Sequence, residues 1–143
     1  MHTLVIGGGT TGPSLAPYLT LVGHNTVLVS CLSEMLAGAE AAIKIGYRKL
    51  ANTELLPTTA EDWCGRLTFF TDMVEAVQNF DIAFEAISEI AAQCSCKDRV
   101  AVTHFANPPH LIPVVKVVPG NSTDSVVMDR LCAFVRGLGK QPI

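Results

Sequence analysis

Residues 3–12 read TLVIGGGTTG, an apolar β-type run followed directly by a glycine-rich turn. A helical stretch begins near Ser14, and a second β-type run, Thr26 to Val29, comes after it. Strand, G-x-G-x-x-G, helix and strand, in this order, form the sequence pattern of a dinucleotide-binding βαβ unit. The glycine spacing alone would also fit a turn in some other α/β protein. Because a strand and a helix flank it here, we predict that the turn binds a dinucleotide.

Each glycine of the pattern has its own predicted role. Gly7 permits the tight turn, Gly9 lets the backbone approach a pyrophosphate, and Gly12 lets the helix pack closely on the strand. Unpaired N–H groups at the helix N-terminus would then bind the phosphates. The predicted cofactor-binding residues of this loop are Gly7, Gly9, Thr10, Thr11 and Gly12.

The composition suits a single α/β domain. Of the 143 residues, 49% are hydrophobic and 16% are charged, a balance that fits a parallel sheet covered on both faces. β-type and helical runs alternate along the chain, which predicts a Rossmann-type, doubly wound parallel sheet over residues 1–143. The net charge of −3 gives no electrostatic reason to expect nucleic acid or an anionic membrane as a partner.

The cysteines predict neither a disulfide framework nor a metal site. They are an odd and scattered set, and Cys94-Ser95-Cys96 lacks the two-residue gap of zinc-binding pairs. We expect reduced thiols, and therefore a cytoplasmic protein or one of an organellar matrix. The chain start lacks the basic region of a secretory signal, and no apolar run reaches the roughly 18 residues of a membrane span. The cysteines are Cys31, Cys64, Cys94, Cys96 and Cys132.

Composition also predicts the remaining elements. Ser33 can cap a helix from Glu34 to about Leu50. Ser122 or Thr123 can cap a final helix to Leu138, which Gly139 would end. Short helices are predicted from Thr71 and over Ile90–Cys96, and strands over Arg66–Phe70, Asp81–Ile87, Arg99–Phe105 and Val114–Val118.

Four passages carry a family resemblance. They are the glycine loop, with Thr11 in place of the methionine of G-x-G-x-M-G, Gly23-His24, DIAFEA at 81–86, and HFANPPHLIPVVKVV at 104–118. Together they resemble the NAD-binding domain of the 3-hydroxyacyl-CoA dehydrogenase family, whose H-F-x-N-P motif is the most specific match. The Asn-Pro-Pro form is also similar to the lambda-crystallin and gulonate dehydrogenase branch.

The resemblance implies an NAD-dependent oxidoreductase that oxidises a small molecule, an L-3-hydroxyacyl-CoA or a related 3-hydroxy acid, in fatty-acid metabolism. His104 would be the catalytic base for the 3-hydroxyl proton, and Asn107 would line the pocket. An imidazole can take and return a proton near neutral pH. Glu85 lies at the carboxyl end of a predicted strand, where doubly wound sheets bind ligands. The alternatives are a structural histidine, a plain turn residue at Asn107 and a solvated carboxylate at Glu85.

One departure concerns the cofactor. Ser30 stands at the end of the second strand, where the family carries an acid that accepts both ribose hydroxyls. A serine makes one modest hydrogen bond there. No arginine or lysine precedes Lys44, so a 2′-phosphate has no obvious partner. We therefore expect NAD rather than NADP, bound through Ser30 more weakly than in the family.

Two further departures concern catalysis. Lys116 stands where the family has the glutamate that orients its histidine, and an ammonium disfavours the imidazolium formed in the reaction. Between Glu89 and Ile90 the chain lacks about one helix, one strand and a serine-containing loop of the family, on the order of 30 residues. The chain also ends before the family's helical domain. We expect a sheet one strand short, an exposed apolar surface that favours self-association, and little or no turnover.

Three functions therefore remain open from the sequence. The first is the NAD-dependent dehydrogenase that the HFANP passage favours. The second is a catalytically inactive nucleotide-binding or structural relic of that family, favoured by Lys116 and the missing serine. The third is a different Rossmann dehydrogenase that acts on a sugar acid.

Overall fold

The computed structural model describes residues 1–51, 65–76, 78, 80–85, 95–106 and 108–143. The chain divides into two units, Met1–Ala86 and Ile87–Ile143. The prediction of one domain over residues 1–143 stays a prediction.

The first unit is a parallel sheet with β1 inside it. The strands are β1 (His2–Ile6), β2 (Asn25–Val29), β3 (Leu67–Phe70) and β4 (Ile82–Glu85). Their order is β3-β2-β1-β4, and every pair is parallel. The direction of strand succession reverses at β1, and in such sheets the crevice outside the carboxyl ends at the reversal binds ligands. The βαβ order therefore places the glycine turn, which follows β1, at this crevice.

The described residues of this unit form three helices: α1 (Gly12–Leu21), α2 (Ser33–Ala51) and α3 (Met73–Ala76). Consecutive residues of β1, Thr3 to Val5, are all at most 2% exposed, as expected for a strand covered on both faces. The one polar side chain among them is satisfied, because the Thr3 and Thr26 hydroxyls hydrogen-bond at 2.9 Å. Asp72 caps α3 by accepting from Val74 N at 2.7 Å.

The second unit contains β5 (Ala101–Phe105), β6 (Val114–Pro119), α4 (Ser125–Gly137) and β7 (Gln141–Pro142), after a 3₁₀ turn at Lys97–Arg99. β5 and β6 are antiparallel, whereas β6 and β7 are parallel. The direction follows from the connections: residues 106–113 are too few for a parallel crossover, which needs a dozen or more residues. α4 supplies that length between β6 and β7.

The structure confirms the α/β Rossmann class through the parallel sheet of the first unit. The antiparallel β5–β6 pair is a finding that the alternation of strands and helices did not indicate. The predicted helix over Ile90–Cys96 falls mostly outside the described residues. None of the helices in the described part of the chain has the length and apolar content needed to span a bilayer.

The predicted cap of the final helix was wrong. Asp124 caps α4, because its carboxylate accepts from Val126 N at 2.9 Å. The Thr123 hydroxyl is engaged elsewhere: it accepts from Gly120 N at 2.7 Å and donates to Val100 O. The predicted end is confirmed, since Gly139 has a φ of +73° just beyond α4, the left-handed conformation typical of a helix C-terminus.

We expect Asp124→Ala to lower the free energy of unfolding by about 1 kcal/mol, the usual cost of losing an N-cap. The matched control is Ser122→Ala, which removes an exposed hydroxyl two residues away and should change nothing. Urea unfolding followed by circular dichroism measures both. Equal effects of the two substitutions would show that Asp124 is not the effective cap.

Candidate functional site

The glycine turn is fixed at both of its ends. Gly7 has a φ of +115°, a conformation that only glycine adopts without strain, and its N–H donates to Val29 O at 2.8 Å. The turn therefore leaves β1 while still bonded to the end of β2. Glu85 ends β4 as the register partner of Ile6, so its backbone lies beside the start of the turn, as the sequence predicted.

The glycines of the turn differ in how much room they leave for a side chain. A Cβ on Gly12 would lie 1.9 Å from the Gly7 carbonyl oxygen, so helix and turn pack too closely for any side chain. A Cβ on Gly8 would lie 3.1 Å from Ser30 Cβ and 3.2 Å from Ser30 Oγ. A Cβ on Gly9 would meet nothing closer than Met35 Cε at 3.9 Å. The space above exposed Gly9 is therefore open to a ligand, while the role of Gly8 was not predicted.

The N-terminus of α1 is available to an anion. Thr11 is the N-cap residue but makes no side-chain capping bond, and the first turn holds no acidic residue. The Ser14 hydroxyl donates to Thr10 O at 3.2 Å, so it does not cap the helix either. Thr10 and Thr11 are exposed. Pro13 has no N–H, and Ser14 N already donates to Thr11 O at 3.1 Å. What the helix offers beside the open space at Gly9 is therefore mainly the positive end of its dipole, which favours an anion such as a pyrophosphate.

Ser30 lies beside this space and is only 7% exposed. Its N–H donates to Phe70 O at 3.1 Å, which fixes the end of β2 against β3. The two residues that follow, Cys31 and Leu32, are exposed. The position predicted to serve a ribose is therefore next to the turn, and it carries a hydroxyl where a carboxylate was expected.

In the second unit, His104 and Lys116 are direct partners. They are paired in the antiparallel register of β5 and β6, and both are exposed. Side chains directly opposite on antiparallel strands point to the same face, with Cβ atoms about 5 Å apart. The ammonium therefore shares a face with the imidazole, and among the described residues no carboxylate hydrogen-bonds to His104. Asn107 lies outside the described residues.

The loop between β5 and β6 is held by a residue that the sequence analysis did not single out. Lys140 is 8% exposed, and its ammonium donates to Pro109 O and, at 3.0 Å, to Ile112 O. Burial lowers the pKa of Lys140. Burial and then the Lys140 charge lower the pKa of His110 in the same loop. The only sequence signal was the position of Lys140 between Gly139 and β7, where a chain reversal turns it inward.

Fold and turn together define a dinucleotide-binding domain of the Rossmann type. The sequence model of the family described as "3-hydroxyacyl-CoA dehydrogenase, NAD binding domain" matches residues 2–92 and 86–143. The chain belongs to this family, and NAD is its cofactor. The two matched segments overlap at residues 86–92. This overlap includes Glu89 and Ile90, between which the sequence analysis predicted a missing segment.

Known proteins agree with this assignment. The chain is 30% identical over 108 residues to 3-hydroxyadipyl-CoA dehydrogenase of Escherichia coli K12, covering 76% of this chain and 21% of that protein. It is 22% identical over 173 residues to 5-formyl-3-hydroxy-2-methylpyridine 4-carboxylate 5-dehydrogenase of Mesorhizobium japonicum, covering 97% of this chain and 55% of the relative. A crystal structure of 3-hydroxybutyryl-CoA dehydrogenase from Escherichia coli K12 superposes with a TM-score of 0.90 at 28% identity, over 100% of this chain and 37% of that one. The chain thus spans between a fifth and just over half of these proteins.

Two glycine substitutions should separate folding from binding. Gly12→Ala should lower the free energy of unfolding by roughly 1–3 kcal/mol, because its Cβ cannot be accommodated beside the Gly7 carbonyl. Gly9→Ala should leave the free energy of unfolding unchanged but weaken NAD binding, because its methyl group would occupy the open space where the pyrophosphate is predicted to bind. Urea unfolding and calorimetric NAD titration give the two readouts.

Gly38→Ala is the matched control, because a Cβ there meets nothing within 4 Å. In that exposed stretch of α2 it should leave NAD binding intact. Unchanged NAD affinity in Gly9→Ala would show that the pyrophosphate does not lie above this residue.

Proposed function

We propose that this chain binds NAD at the glycine turn and supplies the NAD-binding part of a 3-hydroxyacyl-CoA dehydrogenase. The observation that carries the proposal is the turn itself: Gly7 and Gly12 are closely packed, the space at Gly9 is open, and the N-terminus of α1 has neither an acidic residue nor a side-chain cap. The predicted cofactor residues follow β1 and β2 in the chain or end β4, which supports the proposal; they are Gly7, Gly9, Thr10, Thr11, Gly12, Ser30 and Glu85.

The proposed reaction is the oxidation of a 3-hydroxyacyl-CoA, or a related small 3-hydroxy acid, to the 3-oxo compound. Bound NAD would accept the hydride. His104 would take the hydroxyl proton, which an imidazole does well at neutral pH, and Asn107 would contact the substrate. The exposed position of His104 at the end of β5 supports this role, because a base must reach its substrate.

We further propose that residues 1–143 represent the NAD-binding domain with an internal segment missing. The two-part family match supports this. So does the Mesorhizobium relative: an alignment of 173 positions against 143 residues leaves 30 or more positions of the relative without a counterpart. We propose that the sheet is consequently one strand short.

The pairing of His104 with Lys116 favours a second candidate, a relic that binds NAD without turnover. In the proposed reaction His104 becomes positively charged, and a cation on the facing strand opposes that charge. Lys116 has only donors, so it cannot accept the second ring N–H and hold one tautomer. Losing such an orienting acid in a serine-protease triad costs about 10⁴ in rate.

Ser30→Asp tests the cofactor half of the proposal. A carboxylate at this position would accept from the ribose hydroxyls, so we expect NAD to bind about 1 kcal/mol more tightly, the scale of one net hydrogen bond. Calorimetric titration measures the change. Cys31→Asp, which puts the same charge one residue further on an exposed site, should bring no gain. Equal affinities in wild type and Ser30→Asp would mean that residue 30 does not face the ribose.

Lys116→Glu tests the catalytic half. The wild-type chain should form little or no NADH from 3-hydroxybutyryl-CoA. In the variant a carboxylate can accept the ring N–H, so ¹⁵N NMR of the imidazole should change from mixed tautomers to one dominant form.

The matched control is Lys97→Glu, which makes the same charge change on an exposed residue outside β5 and β6 and should leave the His104 spectrum unchanged. The relic hypothesis fails if the unmodified chain turns over at about 10 s⁻¹, a typical enzyme rate. An unchanged tautomer ratio in Lys116→Glu would show that the side chains of residues 104 and 116 do not interact.

We also propose that the chain self-associates through apolar surface left by the missing segment, which sedimentation would detect as species heavier than a monomer. For location we propose the cytoplasm or an organellar matrix. The free thiols of Cys31, Cys96 and Cys132 among the described residues support a reducing compartment.

A further inference from the structure

Lys140 is a buried cation that contacts the loop following the strand of the proposed base. Burying an ammonium is unfavourable unless its donors are satisfied, and here they reach Pro109 O and Ile112 O. Charge-assisted bonds of this kind are stronger than neutral ones. The buried charge is therefore bonded to the loop between β5 and β6.

The loop between β5 and β6 has few backbone donors with which to form internal hydrogen bonds. Pro108, Pro109 and Pro113 have no N–H to donate. Within the loop, Pro108 O accepts from Leu111 N at 3.1 Å and from Ile112 N at 3.2 Å. The Pro109 and Ile112 carbonyls are satisfied by Lys140. Removal of the ammonium would leave these acceptors without their described partner.

The chain conformation at the end of α4 directs the Lys140 side chain toward the loop between β5 and β6. Gly139 adopts its positive φ directly after the helix, and Lys140 N donates to Val135 O at 3.2 Å. The N–H of the next residue, Gln141, donates to Pro113 O at 2.8 Å. Pro113 is the residue directly before β6. The segment Gly139–Gln141 thus contacts the loop through the Lys140 side chain and through the Gln141 backbone.

The loop in turn sets the register of the two strands it joins. Phe105 pairs with Val115 next to the loop, and His104 pairs with Lys116 one step further. A one-residue slip would send every side chain of a strand to the opposite face. We propose that Lys140 is a positioning residue that fixes this loop and so keeps His104 on the exposed face opposite Lys116. The inference rests on the role proposed for His104.

The test compares Lys140→Met and Lys140→Arg with wild type in the full chain by NMR. In Lys140→Met, exchange of the Leu111 and Ile112 amide protons should accelerate roughly ten- to hundredfold, because hydrogen bonds to a charged group are lost. The nuclear Overhauser contact between the His104 ring and the Lys116 side chain should weaken. Lys140→Arg keeps a cation and donors, so it should restore both signals.

Val135→Ala is the control for a purely structural effect. Val135 is fully buried on α4, so its truncation destabilises the same unit without removing a bond to the loop. It should leave the His104–Lys116 contact intact. If Lys140→Met also leaves that contact intact, or if Lys140→Arg fails to restore it, the positioning role is wrong.

If Lys140→Met does not fold, Lys140→Gln decides, because glutamine retains a neutral donor on a shorter stem. Partial acceleration of exchange supports the proposal, and unchanged exchange overturns it. A separate NAD titration of the wild-type chain keeps the two ideas apart. Failure to bind NAD would overturn the proposed function, whereas the NMR signals report on Lys140 alone.

Discussion

The structure depends on the contact between the Gly7 carbonyl and the Cα of Gly12. With 1.9 Å between that oxygen and any added Cβ, the helix N-terminus is brought directly over the end of β1. The Thr11 side chain does not cap this helix, and the first helical turn carries no acidic residue. The proposed cofactor site would thus arise from how the first strand and the first helix pack, and it would need no charged side chain.

The two parts of the proposed chemistry depend on different kinds of residue. In the glycine turn, Gly7 needs its positive φ and Gly12 leaves no room for a Cβ, so a substitution at either position would disturb the fold, whereas Gly9 has open space around it. Ser30 and Lys116 are different, since neither position is needed to build a strand. At such positions the fold accepts a serine or a lysine as readily as a carboxylate, so the consequences proposed here concern binding and proton transfer rather than folding. An intact cofactor turn is therefore compatible with either proposed function.

Sequence reasoning succeeded where a residue type has one physical use. The glycine turn, the parallel strands around it and the stop at Gly139 follow from sterics and periodicity. It failed where several neighbouring residues can play the same part, because Ser122, Thr123 and Asp124 can all cap a helix. Asp124 is the cap in the structure, and the Thr123 hydroxyl is hydrogen-bonded to Gly120 and Val100 instead. Lys140 was missed because lysine is expected at the surface. The pairing of His104 with Lys116 could be predicted only by knowing that β5 and β6 are antiparallel, and the short loop between them was the one sequence feature that indicates this direction.

The connectivity of the second unit also bears on the order of folding. Its most distant described hydrogen bond, from Lys140 to Pro109, joins residues 31 positions apart. In the first unit, His2 N bonds to Asp81 across 79 positions. Contacts between near neighbours in sequence cost less loop-closure entropy and form faster. The strand pair carrying His104 should therefore assemble before the parallel sheet closes, so on refolding His104 and Lys116 meet while the crevice at the end of β1 is still unformed.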